Sequence, residues 1–218
     1  MTKEIESQKP LRTPVRLLSL KKKPWAMETK QVVLGVDPGF AETGVVILER
    51  ERPGSPIQAV LARHIKTEKM KRKLRVNFRV TTDDQRRWKE IWGALDAIRG
   101  MYEPYALGVE AYVLNPRQKG SIFGIKTLGV YTGVLWWGWS RNMYAAGFLP
   151  QDLKRRFCGK QSASKKEVED SILQQVIGLA ELLGEIPETL HEHIFDAAGH
   201  AVLVLEETDE MRKMLGLA

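Results

Sequence analysis

Three acidic residues stand where acids are costly. Asp37 ends the apolar run Val-Val-Leu-Gly-Val, and Glu110 ends Ala-Leu-Gly-Val. An ionised carboxylate at the rim of a buried strand needs a cation or a donor to compensate it. The third lies in His191-Glu192-His193-Ile194-Phe195-Asp196-Ala197-Ala198-Gly199-His200. At helical spacing, His193 shares a face with Asp196, three residues on, and so does Glu192, four residues before it. Singly, each acid has a plain structural explanation. Asp before Pro38-Gly39 starts a turn, and acids at a helix start complement its dipole. Together they form a three-carboxylate oxygen set that suits Mg²⁺ or Mn²⁺ rather than a zinc cage. Two such ions about 4 Å apart activate water and stabilise the leaving oxygen of a phosphodiester.

The elements that must position these acids can be read from the apolar pattern. Residues 32–36, 43–48 and 58–65 read as three strands, whose short connections predict antiparallel neighbours. Leu74, Val76, Phe78 and Val80 alternate with polar residues and predict a fourth strand or hairpin arm. Asp83 or Asp84 caps a helix to about Arg99, with Trp88, Ile91, Trp92, Leu95 and Ile98 on one face. A short strand from Tyr105 delivers Glu110. A long apolar helix follows over 120–139, then a strand over 143–148. Pro150 opens a short basic helix, Ser164 to Leu183 reads as one helix, and His191 to Glu207 is the last. This order predicts an α/β mixed sheet, antiparallel in its first three strands and parallel later, flanked by helices. The domain is expected over 31–207, after a basic flexible arm (1–30) and before a C-terminal tail (208–218). Pro10, Pro14 and Pro24 break any helix in the arm.

Composition narrows the class. The chain has 218 residues, 43% of them hydrophobic and 28% charged, with a net charge of +7. That is ordinary globular composition with a bias toward a polyanionic partner. Basic residues cluster at Lys66, Lys69, Lys71, Arg72, Lys73, Arg75, Arg79, Arg86, Arg87 and Lys89, again at Lys154, Arg155, Arg156, Lys160, Lys165 and Lys166, and in the arm. Two patches plus a basic arm predict phosphate binding, with Lys71, Arg72, Lys73, Arg75, Arg86, Arg87, Arg155 and Lys166 as candidate DNA contacts, and Tyr112 as an aromatic one. One cysteine, Cys158, excludes a disulfide framework and a cysteine zinc site within one chain. The longest apolar stretches fall short of the roughly 20 residues that span a bilayer, and no secretory signal opens the chain. An intracellular, nucleoid-associated setting without a membrane partner is expected; an organelle or a virus-infected cell fits equally.

The motifs resemble a known family. Gly35-Val-Asp37-Pro-Gly39 with Thr43-Gly44 is similar to the opening strand of the RuvC family of Holliday-junction resolvases. The similarity continues through Tyr105–Glu110, through Gly159–Val168 with Ser162, Ala163 and Lys165, and closes at His193-x-x-Asp196-Ala-Ala. It runs in order from about 31 to 205. The resemblance implies an RNase H-like fold, a homodimer, and paired nicks across a four-way junction with Mg²⁺ or Mn²⁺, two ions per site. It implies metal ligands at Asp37, Glu110 and Asp196, with His193 as a fourth member; by its helix spacing to Asp196, Glu192 stays open as the alternative to His193. It matches Lys154 and Lys165 to basic residues near the scissile phosphate.

The sequence also departs from the family. The family's junction-opening aromatic follows the catalytic Glu, and here the third residue after Glu110 is Val113, with Tyr112 the nearest aromatic. Gly199 replaces a commoner larger residue. On the apolar helix, Trp136, Trp137 and Trp139 cannot all face one way, and Phe123, Leu128 and Tyr131 are candidates for a dimer interface. Three readings stay open: a junction resolvase, a nuclease of broader taste for branched DNA or hybrids, and a junction-binding protein without catalysis.

Overall fold

The computed structural model describes residues 30–70, 80–112 and 122–216, with the side chains of the two long helices described from Asp83 and Gly124 onward. Three antiparallel strands come first: β1 (Gln31–Asp37), β2 (Glu42–Arg50) and β3 (Ile57–Lys66). Helix α1 (Val80–Tyr102) leads to β4 (Ala106–Glu110), and α2 (Ile122–Ser140) leads to β5 (Tyr144–Phe148). Both β4 and β5 join in parallel, β4 beside β1 and β5 beside β4. Then come α3 (Pro150–Cys158), α4 (Lys165–Gln175), the two-residue β6 (Val176–Ile177), α5 (Leu179–Leu183), a 3-10 turn (Glu188–Leu190) and α6 (His191–Met214). The sheet order is β5-β4-β1-β2-β3-β6. This is the mixed sheet that the strand pattern predicts.

Alternation along the strands builds two cores. Val33, Val46, Leu48 and Ala106 face α3, α4, α5 and α6. Leu34, Val36, Val45, Ile47, Leu107 and Val109 face α1 and α2. Because side chains on a strand alternate, Asp37 points to the same side as Val33 and Gly35, toward α6, and Glu110 does so with Ala106 and Gly108.

Four expectations change. Val80 is the first residue of α1 and not the end of a strand; residues 74–79 lie outside the described residues. The helix expected from Ser164 to Leu183 is broken. β-Branched Val176 and Ile177 leave it to pair with Ile57 and Gln58 of β3, and Gly178 (φ 78°) turns the chain back into α5. The last helix runs seven residues past Glu207. Its extra turns close a buried network in which Arg50 Nε donates to Gln31 Oε1 (2.6 Å), Gln31 Nε2 donates to Asp209 Oδ1 (2.8 Å), and Arg50 pairs with Asp209. Arg87 is the fourth, described with the site. Among the described residues no helix is long and apolar enough to cross a membrane.

Candidate metal centre

Register brings the first two acids together. In the parallel ladder Val36 stands opposite Val109, so the next residues, Asp37 and Glu110, are side by side at the rim. Helix α6 supplies the third, and three glycines set how closely it lies on the sheet. A β-carbon on Gly35 would sit 1.9 Å from the Ala197 carbonyl oxygen, one on Gly44 2.1 Å from that of His193, and one on Gly108 2.1 Å from that of His200. Residues 193, 197 and 200 recur at helical spacing, so one face of α6 rests backbone to backbone on β1, β2 and β4. This approach delivers Asp196. One carboxylate oxygen each of Asp37, Glu110 and Asp196 lies within 4.8 Å of the others.

The centre is electrostatically strained without a cation. Burial, then the negative charge of Asp37, pushes the Glu110 carboxyl far above the usual carboxylate range. Burial and Asp37 push Asp196 up to about 7, with Lys165 pulling the other way. Glu110 and Asp196, both resisting ionisation beside Asp37, are what a hard divalent cation would relieve, and three oxygen donors of this kind fit Mg²⁺ or Mn²⁺.

Around the acids lies a cleft of about 430 Å³, lined among others by Lys154, Lys165, Glu192 and His193. The Ser164–Glu167 capping box starts α4 and sets Lys165 on its first turn; Ser164 N donates to Glu167 Oε2 at 2.7 Å. Lys165 pairs with Glu192, whose carboxylate raises the lysine pKa. Glu192 thus holds a lysine and does not join the acid cluster. His193 does adjoin it: Nδ1 lies 2.5 Å from Asp37 Oδ2, a bond that raises the imidazole pKa. Lys154 follows Leu153, which packs into the notch left by Gly199, where a β-carbon would meet Leu153 Cδ2 at 2.7 Å. The small residue that departs from the RuvC pattern therefore seats α3.

The predicted DNA contacts divide. Arg87 is a correction. It is 2% exposed, donating from Nη2 to the Phe40 carbonyl (2.9 Å) and from Nε to Thr67 Oγ1 (2.9 Å), with its guanidinium 4.0 Å from the Phe40 ring centre. It buttresses the turn after Asp37. Arg86 is tied to Asp83, Glu90 and the Glu68 carbonyl. Arg155 and Lys166 are exposed near the cleft's lysines, and Tyr112 is half-buried just past β4. Lys71, Arg72, Lys73, Arg75 and Val113 lie outside the described residues.

Two residues at the site were missed from sequence. Glu42 Oε2 lies 3.7 Å from His193 Nε2, and the His64 ring centre lies 6.2 Å from that of His193. Their signal was the hairpin itself. Gly44 pairs with both Asp37 and His64, and Glu42, two residues before Gly44, shares its face of β2.

A sheet of this order, with acids on the first strand, the fourth strand and the last helix, is an RNase H-like architecture. Its structural neighbours are RuvC and other Holliday-junction resolvases. RuvC of Thermus thermophilus in complex with a Holliday junction substrate matches with a TM-score of 0.59 at 20% identity, over 86% of this chain and 98% of that one. Another structure of the Thermus thermophilus protein gives 0.56 at 20% identity, over 85% and 97%. The yeast mitochondrial Holliday junction resolvase gives 0.57 at 12% identity, over 85% and 83%. No protein-family model and no curated protein matches the sequence.

Proposed function

We propose that this chain is a divalent-metal-dependent endonuclease that resolves four-way DNA junctions. The observation that carries the reading is the cluster of Asp37, Glu110 and Asp196, with oxygens within 4.8 Å of one another, on the fold that junction resolvases share. Asp37, Glu110 and Asp196 hold Mg²⁺ or Mn²⁺, with His193 against Asp37 as the fourth member. A bound ion supplies an activated water and charge stabilisation at a phosphodiester. The protein's own groups do the rest. A phosphate would enter the cleft that the acids and the two lysines line together. Lys154 and Lys165 bind that phosphate and offset the charge that develops on its oxygens. Glu192 keeps Lys165 over the cleft until phosphate competes for it.

The basic residues of the arm, with Lys71, Arg72, Lys73, Arg75, Arg155 and Lys166, grip the DNA backbone and add no sequence preference. A symmetric pair of nicks needs two sites, so the active species is a homodimer. Ile125, Thr132, Trp136 and Trp139 lie along one exposed face of α2, with Trp136 66% exposed, and a second copy of this chain covers that face. Tyr131 instead packs inward on Gly147 of β5, and Trp137 is buried.

A panel of synthetic substrates tests the substrate class. A four-way junction is expected to be cut in preference to linear duplex, fork or hybrid of the same sequence. Equal cutting of linear duplex and junction would replace this reading with the broader nuclease.

A further inference from the structure

We propose that Glu42 is a positioning residue of the metal centre, acting through His193. The inference rests on the nuclease reading above and assigns a role to a residue outside the acid cluster.

The geometry is a chain of three groups. Asp37 Oδ2 meets His193 Nδ1 at 2.5 Å, and His193 Nε2 faces Glu42 Oε2 at 3.7 Å. The imidazole lies between two carboxylates, one belonging to the acid cluster and one not. A flip of the imidazole about its χ2 torsion would exchange Nδ1 with Cδ2 and Nε2 with Cε1, turning ring carbons toward both carboxylates. Glu42 opposes that flip, because a carboxylate accepts from a ring N–H and gains no comparable bond from a ring carbon. With Nε2 held toward Glu42, Nδ1 stays turned to Asp37 and the cluster. A histidine at a metal centre is commonly oriented in this way by a carboxylate on its other ring nitrogen, and losing that partner costs metal affinity. The separation of 3.7 Å is within ion-pair range, and the Glu42 side chain is partly exposed.

The surroundings leave the ring little other freedom. Gly44 sits under the His193 backbone, where any β-carbon would lie 2.1 Å from the His193 oxygen. The His64 ring flanks His193 at a tilt of 32°. Burial lowers the His64 pKa, so that neighbour is uncharged at neutral pH. Glu42 is itself anchored through its neighbours. Thr67 N donates to the Ala41 carbonyl (2.8 Å), Thr67 Oγ1 donates to the Phe40 carbonyl (2.7 Å), and Arg87 also donates to Phe40. The buried arginine thus fixes the turn that carries Glu42.

The test is a Mn²⁺ titration of the full chain, read by electron paramagnetic resonance without DNA. Wild type, Glu42→Ala, Glu42→Gln, His193→Ala and the double variant Glu42→Ala/His193→Ala are compared, each first checked for an unchanged thermal transition. Glu42→Ala is expected to weaken Mn²⁺ by about tenfold. Glu42→Gln recovers most of the loss, because its amide oxygen still accepts the Nε2 proton. In the His193→Ala background, removing Glu42 changes nothing further. Three results overturn the inference: wild-type affinity in Glu42→Ala, an equal loss in Glu42→Gln and Glu42→Ala (a charge effect and not positioning), or a loss that persists without His193. Wild type that takes up no Mn²⁺ at all sinks the metal-centre reading itself, and this inference with it.

Discussion

Gly35 and Ala197 meet so closely that a β-carbon on the glycine would sit 1.9 Å from the alanine carbonyl oxygen. The obstacle is helix backbone, which cannot rotate away. Gly35→Ala must therefore lift α6 off the sheet, and Asp196 with it. A loss of about 3 kcal/mol is expected, equivalent to a fall in Tm on the order of 10 °C, together with loss of metal binding. Gly93→Ala in α1 is the control. Nothing lies within 4 Å of its β-carbon position, so a gain of about 0.5–1 kcal/mol is expected from helix propensity. Thermal melts of both variants check the pair; similar small effects would mean that the close approach does not hold the site.

The acid cluster should make the metal-free protein sensitive to pH in a defined direction. With its folded value at about 7, Asp196 keeps its proton where the unfolded chain, at 3.8, has lost it. The folded state then binds more protons than the unfolded one, so stability falls as pH rises from about 4 to about 7. His193, also raised, acts in the same sense as pH climbs past 6.5. Asp196→Asn removes the carboxyl's part, on the order of a few kcal/mol at neutral pH. In melts without divalent metal, the variant should overtake wild type increasingly between pH 4 and pH 7. Adding Mn²⁺ should raise the wild-type Tm and leave the variant nearly unmoved. A wild type that gains stability over that window relative to Asp196→Asn contradicts the assignment.

Much of this centre was legible in the sequence because it depends on local rules. Apolar runs ending in Asp37 and Glu110 identify strands that finish at a rim, and period-two alternation fixes which way those acids point. The spacing of His193 and Asp196 gives a helix face. What stayed hidden depends on partners distant in sequence. Val176 and Ile177 looked helical in their own window, and only the free edge of β3 draws them into the sheet. Arg87 sits in a run of basic residues that looks like surface, yet the Phe40 carbonyl and Thr67 bury it. Glu42 had no motif of its own; it enters the site because the β1–β2 hairpin folds it back beside His193.

His200 is a buried polar group without an evident reward. It is fully buried, neither ring nitrogen has a hydrogen-bond partner among the described residues, and its ring stacks on Phe148 at 6.3 Å. Burial pulls its pKa down to about 4. Below about 6.5 the unfolded chain takes up a proton that the folded chain refuses, so this residue costs stability as pH falls from about 6.5 to about 4. His200→Leu should raise Tm at pH 5, by about 1–3 kcal/mol in stability, and flatten that limb of the profile. A destabilised His200→Leu with the acid limb intact would show that the imidazole has a partner.

The exposed face of α2 makes its own prediction. Trp136 and Trp139 are 66% and 56% exposed, and large aromatics of this kind anchor interfaces. Trp136→Glu should convert a dimer to a monomer in light scattering after gel filtration, with the fold retained. A wild type already monomeric at tens of micromolar removes the dimer from the account.

The most direct measurement is cleavage of a synthetic four-way junction by wild type and Asp37→Asn, side by side, with Mg²⁺, with Mn²⁺ and with chelator. The account predicts paired nicks by wild type that depend on the metal, and at least a hundredfold slower nicking by Asp37→Asn with junction binding intact. Metal-independent nicking, or wild type and Asp37→Asn behaving alike, would contradict it.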